Sequence, residues 1–242
     1  MKSKIKLFEP IIEQDFQQAI KLVEENICRD KNFDLTYLQH LSVGEMLVVK
    51  EGKKVVGVLT QRRQGKIFDE LEDKFFDLEH IKAEKKDIGY LVLVAIDKNH
   101  QGRGIGKMLV EEALRIQKEW GAKAVGVHCW QGSPGNGSQR LFEHFDFQPL
   151  KLHKAPWLEH SKKVGPKEYW CVVCGNPCEC DELEMVYCFN QKRSHKGKPK
   201  GRLKGRQKGS IRGSEGNQRM QAVFVSVTFF GYQITSPHRF PF

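Results

Sequence analysis

The sequence predicts an α/β fold in which strands alternate with helices around one sheet. Three observations carry that expectation. "IGYLVLVAI" (88–96) is a continuous apolar run of strand length; "DKNHQGRGIGKMLVEEAL" (97–114) follows it at once, with glycines opening an amphipathic helix; and strand and helix signals alternate on both sides of this pair. A chain of 242 residues with 39% hydrophobic content is long enough for one medium domain with a real core plus an appendage.

Taken in order, "EQDFQQAIKLVEENI" places Phe16, Ile20, Val23 and Ile27 at helical spacing. "EMLVVKEGKKVVGVLT" is two apolar runs joined by a turn containing Gly52, a hairpin. The charged stretch 61–87 is expected to be a long connection, partly helical at "DELEDKFFDLEHI". The run 88–96 lacks polar alternation, so it belongs near the centre of the sheet, buried on both faces. Gly104 to Trp120 reads as a helix with Ile105, Met108, Leu109, Leu114 and Ile116 inward, ending at Gly121, a good residue just past a helix. "AKAVGVHCW" is a further strand, "SQRLFEHF" a short helix and "EMVYCF" a last strand.

Charge is unevenly spread. Residues 191–242 hold 12 of the 40 Lys and Arg and one acid, Glu215, while the first 190 are close to neutral. Any argument for a polyanionic partner therefore concerns the tail alone. No apolar run approaches the roughly 18–20 residues of a membrane span. The start lacks the apolar core and cleavage site of a secretory signal, so the expected location is cytoplasmic, with no membrane contact. Seven cysteines, four of them within residues 171–180, fit reduced thiols or metal ligation better than a secreted disulfide framework.

Gly102, Gly104 and Gly106 let the backbone approach a ligand closely, at a helix start whose free N–H groups favour phosphate. A mononucleotide phosphate loop needs Ser or Thr after the lysine, but Met108 follows Lys107; a dinucleotide G-x-G-x-x-G is missed because the last glycine comes one residue early. What remains is Gln101-x-x-Gly104-x-Gly106. This resembles the pyrophosphate signature [QR]-x-x-G-x-[GA] of the GNAT superfamily of acetyl-coenzyme A-dependent N-acetyltransferases. Downstream, "NGSQRLFEHFDF" is similar to the family's N-x-x-A-x-x-L-Y-x-x-x-G-F helix, with Ser138, Leu141, Phe142 and Phe147 at the small, Leu, Tyr and Phe positions. Asn136 falls one residue late for the Asn, and Asp146 replaces the Gly. The likeness spans roughly residues 4–190, the transferase domain, with a Cys-rich insertion at 150–182 and a basic extension at 191–242.

The resemblance implies a mixed sheet that splays beside the strand ending at Ile96. Backbone groups of Val94, Ala95 and Ile96, left open there, would pair the pantetheine arm of the cofactor. Gln101, Gly102, Arg103, Gly104, Ile105 and Gly106 would hold the pyrophosphate through their amides. Arg103 or Lys107 would reach the 3′-phosphate, or else form a solvated face; Asn136 and Phe142 are carried over as cofactor-side positions. The implied reaction is attack of a neutral amine on the acetyl thioester, which needs an exit for the amine proton and a proton for the thiolate. The family's proton-donating Tyr is here Phe142, and the Glu that opens the central strand in its histone-modifying members is here Tyr90. Tyr90 and His128 are therefore the substitute catalytic candidates, with Cys129 beside them. Asp97 and His100 are read as turn residues as readily as catalytic ones, and Glu45 as a solvated residue or an amine ligand.

In "YWCVVCGNPCECDE", Cys171 and Cys174 form C-x-x-C before Gly175, and Cys178 and Cys180 add two thiols within reach. Four sulfurs without histidine favour a closed tetrahedral Zn²⁺ site, the alternatives being an iron–sulfur cluster or redox thiols. Trp157, Tyr169 and Trp170 would pack on this insertion or line the acceptor cleft. Cys28, Cys129 and Cys188 read as small core residues.

From Gly197 the tail runs "GKPK GRLK GRQK GSIR GSEG", glycine every fourth residue with little to bury, which predicts disorder. Such an array at 191–219 either tracks nucleic-acid phosphates or is a solvated extension. The final "MQAVFVSVTFFGYQITSPHRFPF" has strand character and would pack on the sheet, pair with another chain or do neither. The leading expectation is an acetyl-coenzyme A-dependent N-acetyltransferase acting on an amine of a small molecule or protein. Its rival is a zinc-stabilised nucleic-acid-binding module with impaired catalysis.

Overall fold

The computed structural model describes residues 5–8, 13–133, 136–189 and 224–225. Its elements are β1 (Ile5–Phe8), α1 (Glu13–Asn26), β2 (Cys28–Asp30), α2 (Leu35–Gln39), β3 (Met46–Glu51), β4 (Lys54–Arg62), α3 (Ile67–Glu70), β5 (Ile88–Ile96), α4 (Ile105–Glu119), β6 (Ala124–Trp130), α5 (Gly137–His144), β7 (Gln148–His153), α6 (Leu158–Val164), β8 (Tyr169–Cys171), β9 (Glu182–Cys188) and β10 (Phe224–Val225). The main sheet runs β1-β3-β4-β5-β6-β9-β7, with β10 added against β5; β2 and β8 form a separate pair. Every pairing is antiparallel except β5 with β6, which α4 joins by a crossover.

The central strand is buried at all nine positions, because helices cover both faces. One face packs α1, α2, the 67–78 connection and the Cys-rich segment on Val48, Val58, Tyr90, Val92 and Trp130. The other packs α4 and α5 on Leu59, Leu91, Val94, Val125 and Val127. Gly57 permits that second packing, since a Cβ there would stand 2.7 Å from Ile105 Cγ2.

Several expectations need correction at this level. In α1 the fully buried apolar residues are Ala19, Leu22 and Val23, while Phe16 and Ile20 lie at the margin. The helix turns this way because Asp15 is drawn inward to Lys50 Nζ, 2.6 Å away. Met108 on α4 points outward, as Ile105, Leu109, Ala113 and Ile116 already complete the inner stripe. Residues 148–153, placed by the sequence at the entry of an insertion, form edge strand β7; its mostly exposed pattern with Pro149 and Lys151 suits an edge and hides its strand signal. The charged connection is α3 followed by three 3-10 turns at Asp73–Phe75, Leu78–His80 and Lys85–Asp87. The basic stretch 191–219, with its expected disorder and nucleic-acid contact, lies outside the described residues. Among the described residues no helix is long and apolar enough to cross a membrane.

Candidate active site

The glycine loop sits where its sequence placed it, between β5 and α4. Gly102 and Gly104 take φ of 72° and 81°, the left-handed region that favours glycine, and a Cβ on either would meet nothing within 4 Å. The N-terminal turn of α4 therefore faces open space. Asp97 organises the approach by accepting from Asn99 N (2.9 Å), His100 Nδ1 (2.8 Å) and Lys54 Nζ (2.7 Å), the turn role expected of Asp97 and His100. Gln101 Nε2 donates to Ile96 O at 3.3 Å. Arg103 is engaged with Glu51 at 2.8 Å, and that bond, with one from His100, lowers the Glu51 carboxyl below its usual value. Lys107 is exposed, with no carboxylate partner among the described residues, and so is the freer of the two cations.

β5 and β6 pair only from Ile88–Ala124 to Leu91–Val127, then part. The implied splay is present. Val94 and Ala95 are not left open, however: β10 pairs antiparallel there, Phe224 with Ala95 and Val225 with Val94. The expectation of free backbone groups is corrected at those two residues, because an open strand edge accepts any extended segment the chain can bring to it. The side chains of Val94, Ala95 and Ile96 stay in the core, as expected.

At the point of parting, Tyr90 Oη hydrogen-bonds His128 Nδ1. Both are buried on the face that carries the Cys-rich segment. Burial holds the Tyr90 phenol well above its usual pKa, and the buried carboxylates Glu182 and Glu184 add to this. Burial, reinforced by nearby His153, lowers His128 to about 3. At neutral pH the pair is thus phenol and neutral imidazole. His128 Nε2 makes no hydrogen bond among the described residues.

The sequence did not single out what stands next to this pair. On β9, Glu184 lies directly opposite His128, and Glu182 opposite Trp130. Glu184 accepts from His153 Nε2 at 3.0 Å and from the Asp77 amide at 2.9 and 3.0 Å. The His128 and His153 rings meet edge to face at 5.0 Å, and ligand atoms of His128, His153 and Glu184 lie within 4.8 Å of one another. Glu182 accepts from Trp157 Nε1 at 2.8 Å, and Trp157 stacks on Phe75. Two glutamates at i and i+2 of an apolar strand were the available signal, since period two puts both on one face. His153, whose ring meets that of His128, also lines a groove open to solvent, while Tyr90 and His128 themselves are buried behind it.

Other candidates fall elsewhere. Glu45 is buried and accepts from Ser42 N at 2.9 Å, closing a turn, so it is not a solvated residue. Cys129 lies in the opposite core beside Met185. Phe142 is fully buried against Phe147 on α5 and has no proton to give; Asn136 is exposed at the start of that helix. Trp157 and Tyr169 pack inside, whereas Trp170 is partly exposed over Gly175.

The four cysteines converge. Sulfur separations are 3.8 Å for Cys171–Cys180, 3.6 Å for Cys174–Cys178 and 3.3 Å for Cys174–Cys180. A tetrahedron of Zn–S bonds of about 2.3 Å has edges of about 3.8 Å, so the set fits that ion with little adjustment. Cys171 and Gly175 exchange two backbone hydrogen bonds of 3.1 and 2.9 Å, and Gly175, at φ 76°, turns Cys174 toward its partners. Sulfurs this close cannot all ionise without a cation among them. The cluster is tied to the fold by β8 on β2, which puts Cys28 opposite Cys171, and by Ser161 Oγ accepting from Cys178 N at 2.8 Å.

Comparison with known proteins agrees with this fold. The family model described as the acetyltransferase (GNAT) family matches residues 12–147. The GCN5-related N-acetyltransferase 4, chloroplastic, of Arabidopsis thaliana is 30% identical over 78 residues, 32% of this chain and 26% of that protein. An uncharacterized N-acetyltransferase of Methanocaldococcus jannaschii is 26% identical over 81 residues, 34% of each chain. The matched stretch thus spans 26% and 34% of these relatives. Among solved structures, Arabidopsis thaliana NAA60 in complex with a bisubstrate analogue superposes with a TM-score of 0.54 at 16% identity, over 77% of this chain and 99% of that one. The same protein has also been solved in complex with acetyl-CoA. At such identity the likeness speaks for the fold.

Proposed function

The chain belongs to the GNAT family of acetyltransferases, and from that premise we propose that it transfers the acetyl group of acetyl-coenzyme A to a primary amine by direct attack. The observation that carries this reading is the Tyr90–His128 bond at the parting of β5 and β6, on the strand that leads into the glycine loop. The amides of residues 101–106 and the N-terminus of α4 suit the pyrophosphate, Lys107 the 3′-phosphate, and the β5 edge at Val94–Ile96 the pantetheine arm. Bound coenzyme supplies an activated acetyl carbonyl. Attack forms the N–C bond and breaks the C–S bond, and the thiolate, a tolerable leaving group, takes its proton from water because Phe142 has none.

The chain's own task is to receive the amine proton. Tyr90, held as a phenol, donates to His128 Nδ1, so a proton accepted at Oη is passed to the imidazole in one shift. His128, with its lowered pKa of about 3, is a poor resting place for charge. It hands the proton toward His153, whose Nε2 is bonded to Glu184 and which opens on the groove. Tyr90 and His128 thus stand as catalytic residues, and Glu184 as the residue that positions His153.

The same reading assigns Cys171, Cys174, Cys178 and Cys180 to a structural Zn²⁺ that holds the segment between β7 and β9. A cytoplasmic location, where thiols stay reduced, suits that cluster. The nucleic-acid-binding alternative draws on residues 191–219, outside the described region, and no observation among the described residues favours it.

β10 and a pantetheine arm would compete for the same groups of Val94 and Ala95. Isothermal titration of acetyl-coenzyme A into the full chain and into one ending at residue 190, followed by coenzyme A release with free-amine peptides, tests the proposal. Binding and turnover by both, tighter in the shorter chain, is expected. Absence of binding by both folded proteins would overturn the transferase reading.

A further inference from the structure

The groove that opens on His153 is lined mainly by cations. Its volume is about 760 Å³, within the roughly 300–1,000 Å³ usual for ligand clefts. Lys31, Lys74, Lys151, Lys154 and Lys163 line it against a single glutamate, Glu159, and all six are exposed. Lys31, Lys74 and Lys154 are held in place by Glu168, Glu72 and Asp181, none of which lines the groove. Glu159 is itself bonded to Lys162 at 3.2 Å. Lys151, on β7, and Lys163, on α6, have no carboxylate partner among the described residues.

We propose that this groove admits the acceptor and that the acceptor is an acidic peptide, its amine placed at His153, beside the Tyr90–His128 pair, and the carboxylates of its following residues lying against Lys151 and Lys163. The inference rests on the acetyltransferase reading and adds the substrate class. Three considerations lead to it. The groove is lined by His153, whose ring meets that of His128 at 5.0 Å, so its wall stands one side chain from the buried pair. Its unpartnered ammoniums attract carboxylates and repel a basic chain, so selection acts on both sides of neutrality. The same positive surroundings disfavour a protonated amine, which eases formation of the neutral nucleophile. A lysine-rich acceptor is repelled by the same ammoniums.

The test uses the full chain, acetyl-coenzyme A and three peptides with the same first residue and a free N-terminal amine, followed by acidic, neutral or basic residues. Coenzyme A release gives kcat/KM, and fluorescence anisotropy of labelled peptides gives binding without turnover. The acidic peptide should lead by roughly tenfold at low ionic strength, with the gap closing as salt screens exposed charges. The double substitution Lys151→Glu, Lys163→Glu should reverse the order mainly through KM, with acetyl-coenzyme A affinity unchanged, since neither residue lies at the glycine loop. Preference for the neutral or basic peptide overturns the proposal. So does an unchanged order in a double variant that still folds and binds acetyl-coenzyme A, or a single-stranded RNA oligonucleotide that binds more tightly than the acidic peptide and is weakened by the same substitutions. Selective binding of the acidic peptide with neither turnover nor acetyl-coenzyme A binding upholds the groove and removes the transferase reading instead.

Discussion

Tyr90 Oη and His128 Nδ1 are hydrogen-bonded across the last paired rungs of β5 and β6, where the sheet opens. A phenol hydrogen-bonded to a neutral imidazole at the mouth of a splay offers a path along which a proton can pass. The role proposed for them gives the first prediction. Tyr90→Phe and His128→Gln should each lower kcat by roughly 10²–10⁴-fold, leaving acetyl-coenzyme A affinity unchanged by titration calorimetry. The double variant should lose little beyond the worse single one, because the two act as a unit. Full activity in either single variant would remove that residue from the mechanism.

Gly104 has φ of 81° and opens α4 toward unfilled space. Gly104→Ala keeps the space open and pays only the left-handed backbone strain, about 1–2 kcal/mol. Gly104→Glu adds a side chain and a negative charge where the proposed function seats the pyrophosphate. Calorimetry should show acetyl-coenzyme A binding by the alanine variant and none by the glutamate variant, with both folded by circular dichroism. Equal affinities would place the cofactor elsewhere.

The sulfur tetrahedron makes a stoichiometric prediction. Chain purified without a histidine tag under reducing conditions should carry about one equivalent of Zn²⁺, bound by four thiolates. Cys174→Ser should release it and lower the melting temperature, because binding energy of the metal is also folding energy for the segment it closes. Less than about half an equivalent in fully reduced protein would contradict a four-cysteine site.

Buried His128 also makes stability depend on pH. Its pKa falls from 6.5 to about 3 on folding, so the unfolded chain binds the proton more readily between those values. The contribution is complete above pH 6.5 and is lost as pH falls toward 3, on the order of a few kcal/mol. His160, lowered first by burial, acts in the same direction. Asp30, raised by burial to about 6, opposes them: its contribution is present at low pH and lost as pH rises from 3.8 to about 6. Melting temperatures from pH 7.5 to 4.5 should therefore fall less steeply in His128→Gln than in the parent. Parallel curves would mean that His128 is not buried neutral.

By itself the sequence determined the strand Ile88–Ile96, the glycine loop, the helix to Glu119 and the gathering of Cys171, Cys174, Cys178 and Cys180. Each is written in contiguous residues: an unbroken apolar run, glycines where φ must be positive, a period near 3.6, thiols a few positions apart. It also named Tyr90 and His128, though as separate candidates. The face α1 presents, the edge strand β7, the burial of Glu45 and the capture of the Val94–Ala95 edge by β10 were decided in three dimensions. So was the nearness of Glu184 and His153 to His128, which depends on how β6, β9 and β7 are registered. A one-residue slip in either ladder would send those side chains to the opposite face, and register is fixed by the packing of the whole sheet rather than by any one strand.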